Sequence, residues 1–241
     1  MPDPKRIAFY DFDGTLVSSN IVTRYAFLVR HLPSRARAIW KFSRLVASVP
    51  TYLLLNRYSR RLFNETFFRE YAGIKKAWLE EQSELLFEEV IRPSIYPGAR
   101  ALVDRDREQG FYLVLVTGEL DFALGRAARY FGFDQLVCNS LVFENDVATG
   151  KVAEPLIAEE EKVKAMSRIC KARGVSLTKA KAYSDSFSDA SMLEAVGMPA
   201  AVNPDGRLRR LAALRGWPVL NLKSPGSSPI AMERGNHVHI S

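Results

Sequence analysis

Cysteine is scarce in this chain: Cys138 and Cys170 are the only two among 241 residues, far apart and without CxxC spacing. That argues against a disulfide framework or a thiolate zinc site and suits a reducing compartment. Histidine is scarcer relative to its uses. Of three, His237 and His239 fall in the Ser-, Pro- and Gly-rich stretch "SPGSSPIAMERGNHVHIS", which reads as a mobile tail over 224–241 rather than a metal site. No apolar run approaches the ~20 residues that span a bilayer. The opening "MPDPKRIAFYDF" also lacks the apolar core of a signal peptide. A soluble, cytoplasmic protein is the expectation. Internal repeats are absent too, which excludes solenoids and propellers. Acidic residues are scarce in one region: Asn20 to Lys76 carries twelve Lys or Arg against Glu65 and Glu70, a balance of +10 in a chain whose net charge is +7. Such a segment could attract an anionic substrate, anionic lipid or nucleic acid, or could simply be a solvated helical face. No recognised nucleic-acid motif accompanies it.

Apolar residues are abundant, at 47%, enough for a large core. "IAFYDF" is a continuous apolar run, the pattern of a parallel strand covered on both faces. Four helical stretches follow between about Val17 and Pro93: "NIVTRYAFLVRHL", "SRARAIWKFSRLVASV", "YSRRLFNETFFREYAG" and "KKAWLEEQSELLFEEVI". Strand and helix then alternate. "FYLVLVTG", "KAYSD", "AAVNP" and "WPVLN" read as strands between helices, and "NSLVFENDVATGKVA" as a β-hairpin. The expected fold is α/β, a doubly wound parallel sheet with an inserted α-helical cap. The expected boundaries are a core of 1–16 and 96–223 and a cap of 17–95.

In such a sheet ligands bind beyond the carboxyl ends of the strands. Strand one ends in Asp11 and Asp13, a second in Thr117 and Gly118, a later one in Ser184, Asp185 and Asp189. Residues two apart on a strand share a face, so Asp11 and Asp13 would crowd two like charges together. A plain turn would explain that pair but not the other acidic strand end. Four convergent carboxylates call for a hard cation with oxygen ligands. Mg²⁺ fits, since it takes one or two carboxylates, keeps waters and accepts substrate phosphate. "DSFSD" lacks the spacing of a Ca²⁺-binding EF-hand loop.

"DFDGT", "VTG", a lysine in "EEEKVK" and "SDSFSD", in that order on alternating strands, resemble the haloacid dehalogenase superfamily, specifically its phosphoserine-phosphatase-like branch. The resemblance covers nearly all of residues 5–222 and implies roles for named residues. Asp11 would attack phosphorus and carry an aspartyl-phosphate; Asp13 would act as general acid and then base. Thr117 and the N–H of Gly118 would bind the phosphoryl oxygens. Lys162 is taken as the motif lysine because it precedes Gly174 by twelve residues, with Lys164 as the alternative. Asp185 and the carboxylate of Asp11 would ligate Mg²⁺ with the backbone carbonyl of Asp13, and Asp189 directly or through water. Gly14 would permit the tight exit from the strand and Thr15 would hold the loop.

The implied activity is hydrolysis of a small phosphomonoester, such as an amino-acid or amino-alcohol phosphate. Phosphoserine phosphatases carry a glutamate where this chain has Asn20, which would meet the substrate instead. In "FSRLVASVPTYLLLNRYSRR" an apolar stretch lies between basic residues, interrupted by Pro50; burial in helix packing is the expectation, with interfacial lipid contact as the alternative. That alternative would make the substrate a lysophospholipid-type phosphate. A third reading, a non-catalytic phosphate-binding protein, sits poorly with the retention of both Asp11 and Asp13.

Overall fold

The protein is described here from a computed structural model covering residues 6–224. The stretch read as a tail, with His237 and His239, lies outside the described residues from 225 onward.

β1 (Ile7–Tyr10) is buried along its whole length. Its side chains alternate between two cores: Ala8 and Tyr10 enter one, Ile7 and Phe9 the other. Coverage on both faces is why the run has no polar alternation. β1 pairs in parallel with β2 (Tyr112–Leu120) and β6 (Lys181–Ser184). β3 (Gln135–Asn139), β7 (Met198–Val202) and β8 (Val219–Leu220) complete a six-stranded parallel sheet of order β3-β2-β1-β6-β7-β8. The winding reverses between β1 and β6, where a crevice opens beyond the strand ends.

α5 (Ala99–Glu108) and α6 (Asp121–Phe131) cover one face, and α7 (Glu160–Ala172), α8 (Ala190–Glu194) and α9 (Gly206–Arg215) the other. Between β1 and β2 the chain is helical: α1 (Ile21–Arg30), α2 (Arg35–Tyr58), α3 (Arg60–Phe68) and α4 (Lys76–Leu86). Aromatic rings knit this layer together, with Phe67 edge-on to both Tyr25 and Tyr52. A buried Glu70 accepts from Arg44 and from the Tyr52 hydroxyl at 2.8 Å.

The expected hairpin is present as β4 (Leu141–Glu144) and β5 (Val147–Val152), turning through Asn145 and Asp146, both at positive φ. It belongs to the helical layer, since the Ala148 N–H donates to Ile74 O and its carbonyl accepts from Gly73, each at 2.8 Å.

Three expectations are corrected. β3 was not foreseen as a strand of the main sheet: its half-buried, polar-ended "QLVCN" has the weak signal of an edge strand. Pro50 does not break α2, which runs continuously for 24 residues. Pro50 and Val46 lie on the exposed side, where the carbonyl deprived of its partner can turn to water. The apolar stripe of α2 is not packed away either; only Leu45 and Tyr52 of it are buried hydrophobics, while Trp40, Val46, Leu53 and Leu54 are exposed.

Candidate active site

Asp11 follows β1 directly, and its N–H still donates to Tyr183 O of β6 at 2.9 Å. The chain then turns at Gly14, at φ +78°. A Cβ on Gly14 would stand 2.0 Å from Asp185 Oδ2. Glycine is therefore required twice, for its backbone angle and because the Asp185 carboxylate lies against its α-carbon. Asp185 is anchored in turn by its carbonyl, which accepts from Asp205 N at 2.8 Å.

The Thr15 hydroxyl lies 3.3 Å from both Asp11 Oδ2 and Asp185 Oδ1. Its single proton can serve one of them at a time, so it brings the buried Asp11 and half-buried Asp185 carboxylates together without neutralising both. Burial pushes the Asp11 carboxyl up to about 6 against the opposing pull of Lys162, with Asp189 and Asp13 adding to the rise. Burial, then Asp11 and Asp189, hold Asp185 well above the usual carboxylate range, slightly relieved by Arg60.

α7 brings in Lys162, whose ammonium donates to Asp11 Oδ1 at 2.7 Å and to Asp189 Oδ2 at 2.8 Å. These two carboxylates raise its pKa despite its burial. Ser184 also donates to Asp189 Oδ2, at 2.8 Å. Lys164 points elsewhere, pairing with Glu161 on the surface.

Asp13 is held by Arg24, a fully buried guanidinium from α1. Its remaining donors reach Glu119 Oε2 at 2.7 Å and Ser19 Oγ at 3.0 Å. The strand-face argument for pairing Asp11 with Asp13 is replaced here: β1 ends at Tyr10, and the two carboxylates part, one to Lys162 and the other to Arg24.

On β2, Thr117 is buried and its Oγ accepts from Glu119 N at 3.3 Å, leaving the hydroxyl proton free to donate. The Gly118 carbonyl accepts from Asn139 at 2.9 Å and from Asn64 of α3 at 3.2 Å. A side chain at Gly118 would press on that Asn64 amide, 2.7 Å from its Cβ. Asn20 caps α1, accepting from Val22 N and Thr23 N at 3.0 Å each; only its amide NH₂ remains for other use.

A cavity of ≈ 260 Å³ opens among these elements and also reaches Asn56 at the end of α2 and Arg60 at the start of α3. All eight residues singled out from the sequence, from Asp11 to Asp189, border this space. Arg24, Glu119, Asn56 and Arg60 were missed. For Arg24 a signal existed: it falls between Ile21, Tyr25 and Leu28 on the buried stripe of α1, and a buried arginine needs carboxylate partners. Nothing local marks Asn56 or Arg60, since only the folding of the helical layer over the sheet brings them in.

The donors are all oxygen, as a hard cation requires. Among the described residues, no three His, Cys, Asp or Glu side chains form a metal-binding group; Asp13 is engaged by Arg24 and Asp189 by Lys162 and Ser184. The carboxylates of Asp11 and Asp185 remain as a two-carboxylate seat, the number Mg²⁺ typically takes from protein.

Residues 8–194 match the haloacid dehalogenase-like hydrolase family. A probable phosphatase of Mycobacterium tuberculosis is 30% identical over 232 residues, covering 94% of this chain and 78% of that one. A Bordetella pertussis protein of unknown function superposes with TM-score 0.78 at 26% identity, over 90% of this chain and 99% of the other. A phosphoserine phosphatase, solved as an analogue of its phospho-aspartyl intermediate, shares the fold at TM-score 0.68 and 18% identity, over 91% and 94%. With this architecture and its acidic crevice, the chain belongs to the haloacid dehalogenase-like hydrolases.

Proposed function

We propose that this phosphatase-like hydrolase is an Mg²⁺-dependent phosphomonoesterase of the cytoplasm that works through an aspartyl-phosphate on Asp11. The observation that carries the reading is the asymmetric environment of that one side chain. Asp11 Oδ1 is fixed on Lys162, while Oδ2 meets the Thr15 hydroxyl at 3.3 Å, which also reaches Asp185 Oδ1. One oxygen is held and the other is left to attack.

Asp11, Asp185 and the carbonyl of Asp13 would hold Mg²⁺. The ion would supply charge neutralisation between the carboxylates and the phosphoryl group. Thr117 and the Gly118 N–H would bind the equatorial oxygens, and Lys162 would offset their charge. In the first step Oδ2 of Asp11 forms a bond to phosphorus, the bond to the ester oxygen breaks, and Asp13 gives that oxygen a proton. In the second, Asp13 takes a proton from water as it attacks phosphorus, and the P–O bond to Asp11 breaks. Arg24 would hold Asp13 between these duties.

A cavity of ≈ 260 Å³ suits a small phosphomonoester of the amino-acid or amino-alcohol class. Asn20, Asn56 and Arg60 would read the part beyond the phosphate. Arg60 adds a cation opposite the acidic floor, so a substrate with a second anionic or acceptor group would be favoured. A panel of phosphorylated metabolites assayed with Mg²⁺ tests the proposal. Release of phosphate from at least one member, abolished by Asp11→Asn, supports it; ligand binding without turnover by the native protein would favour the non-catalytic alternative.

A further inference from the structure

Much of the outward face of α2 is apolar. Ile39, Val46 and Leu53 recur every seven residues and form a row along it, exposed to 67%, 55% and 67%. Trp40, Phe42, Val49, Leu54 and Tyr58 widen the row, with Tyr58 83% exposed. Ordinary surfaces scatter such residues singly, whereas a contiguous rim-to-rim band marks an interface. Lys41, Leu45 and Tyr52, on the opposite side, pack onto the body of the protein, so the helix has one satisfied face and one that faces out.

We propose that this face docks on an anionic lipid bilayer. Charge selects that occupant. α2 exposes Arg35, Arg37 and Arg57 and contains no acidic residue, while Lys41 is buried and Arg44 is paired with Glu70. A second copy apposed through this face would bring two such sets of arginines together, whereas anionic headgroups meet each exposed cation favourably. Arg35 and Arg57 stand at the two ends of the band and Trp40 and Tyr58 lie along its edge, the placement that suits a headgroup boundary. No helix among the described residues is long and apolar enough to cross a membrane, so α2 would lie in the plane of the surface, over roughly 36 Å for its 24 residues. Its C-terminal end carries Asn56 and leads to Arg60, both on the wall of the catalytic cavity. A docked molecule would therefore hold the mouth of that cavity beside the lipid. The docking does not depend on the catalytic proposal.

Vesicle co-sedimentation of the full chain tests it, with phosphatidylcholine alone or mixed with phosphatidylglycerol. The native protein should partition onto the mixed vesicles at least tenfold better than onto the neutral ones, less so as salt rises. Ile39→Glu/Val46→Glu/Leu53→Glu should lose that partitioning while keeping its circular dichroism spectrum, and the milder triple Ser variant, tested alongside, should weaken it. Arg35→Gln/Arg57→Gln should reduce the preference for the anionic mixture. Native protein that ignores anionic vesicles, or binding that the triple variants leave unchanged, overturns the proposal. So does a dimer, seen in sedimentation velocity, that the triple variants convert to monomer without any vesicle binding.

Discussion

At Asp11 burial favours the protonated acid and Lys162 favours the carboxylate, and the balance leaves the carboxyl pushed up to about 6. Asp11→Asn keeps the shape and the hydrogen bond from Lys162 but removes the proposed nucleophile, so kcat against a generic phosphate ester should fall at least about a thousandfold with the fold intact. Unchanged turnover in that variant would exclude Asp11 as the attacking group. Gly14 makes a separate, steric demand. Gly14→Ala forces a methyl to within 2.0 Å of Asp185 Oδ2 at a φ of +78°, and the carboxylate must move. Activity should drop sharply and the Mg²⁺ concentration for half-maximal rate should rise, which a metal titration reads directly. Arg24 is a different case, because it is itself buried and its partners are the buried Glu119 and the half-buried Asp13. Arg24→Met strands Glu119 and Asp13 and should cost roughly 3–5 kcal/mol of stability in urea unfolding. Adding Glu119→Gln should recover part of that loss; if the double variant is no more stable than the single one, the buried pair is not the source.

Among the elements, the junction of α3 with α7 couples the helical layer to the sheet. Glu159, the residue before α7, accepts from the Arg60 N–H at 2.7 Å and from Ser59 Oγ at 3.1 Å. It thereby completes the cap at the start of α3, where its charge also suits the helix dipole. Glu159 lies three residues before Lys162, so one short segment holds both that lysine and the helix that delivers Arg60. Glu159→Ala should lower stability by about 1 kcal/mol and loosen Arg60 over the cavity. Steady-state kinetics should show KM rising with a smaller change in kcat; an equal fall in kcat and kcat/KM would mean the contact acts on the chemistry instead.

For the molecule as a whole, the crevice at the turn of the winding stores electrostatic repulsion. Folding places Asp11 and Asp185 in a setting that raises both pKa values, so between the ordinary carboxylate range and about 6 the folded protein binds more protons than the unfolded chain. Stability of the metal-free protein therefore falls as pH rises through that window. A cation bound between the ionised carboxylates reverses the effect and stabilises by mass action. The gain in melting temperature on adding Mg²⁺ should be larger at pH 7.5 than at pH 5, as thermal unfolding would show. An equal or smaller gain at pH 7.5 would mean that these carboxylates do not form the cation seat.

Local chemistry carried much of this in advance. The apolar run of β1, the helical periodicity between Val17 and Pro93 and the acidic ends of β1 and β6 are properties of neighbouring residues, so the layered α/β fold and the dispersed carboxylates could be read directly. The tertiary structure decided what those residues face. Asp13 turns to Arg24 and Lys162 bridges Asp11 to Asp189, partnerships between residues up to 151 apart in the chain. Likewise, an amphipathic pattern states that α2 has an apolar stripe but not whether a neighbour covers it. Packing is a property of all the elements together, and it leaves that stripe facing outward.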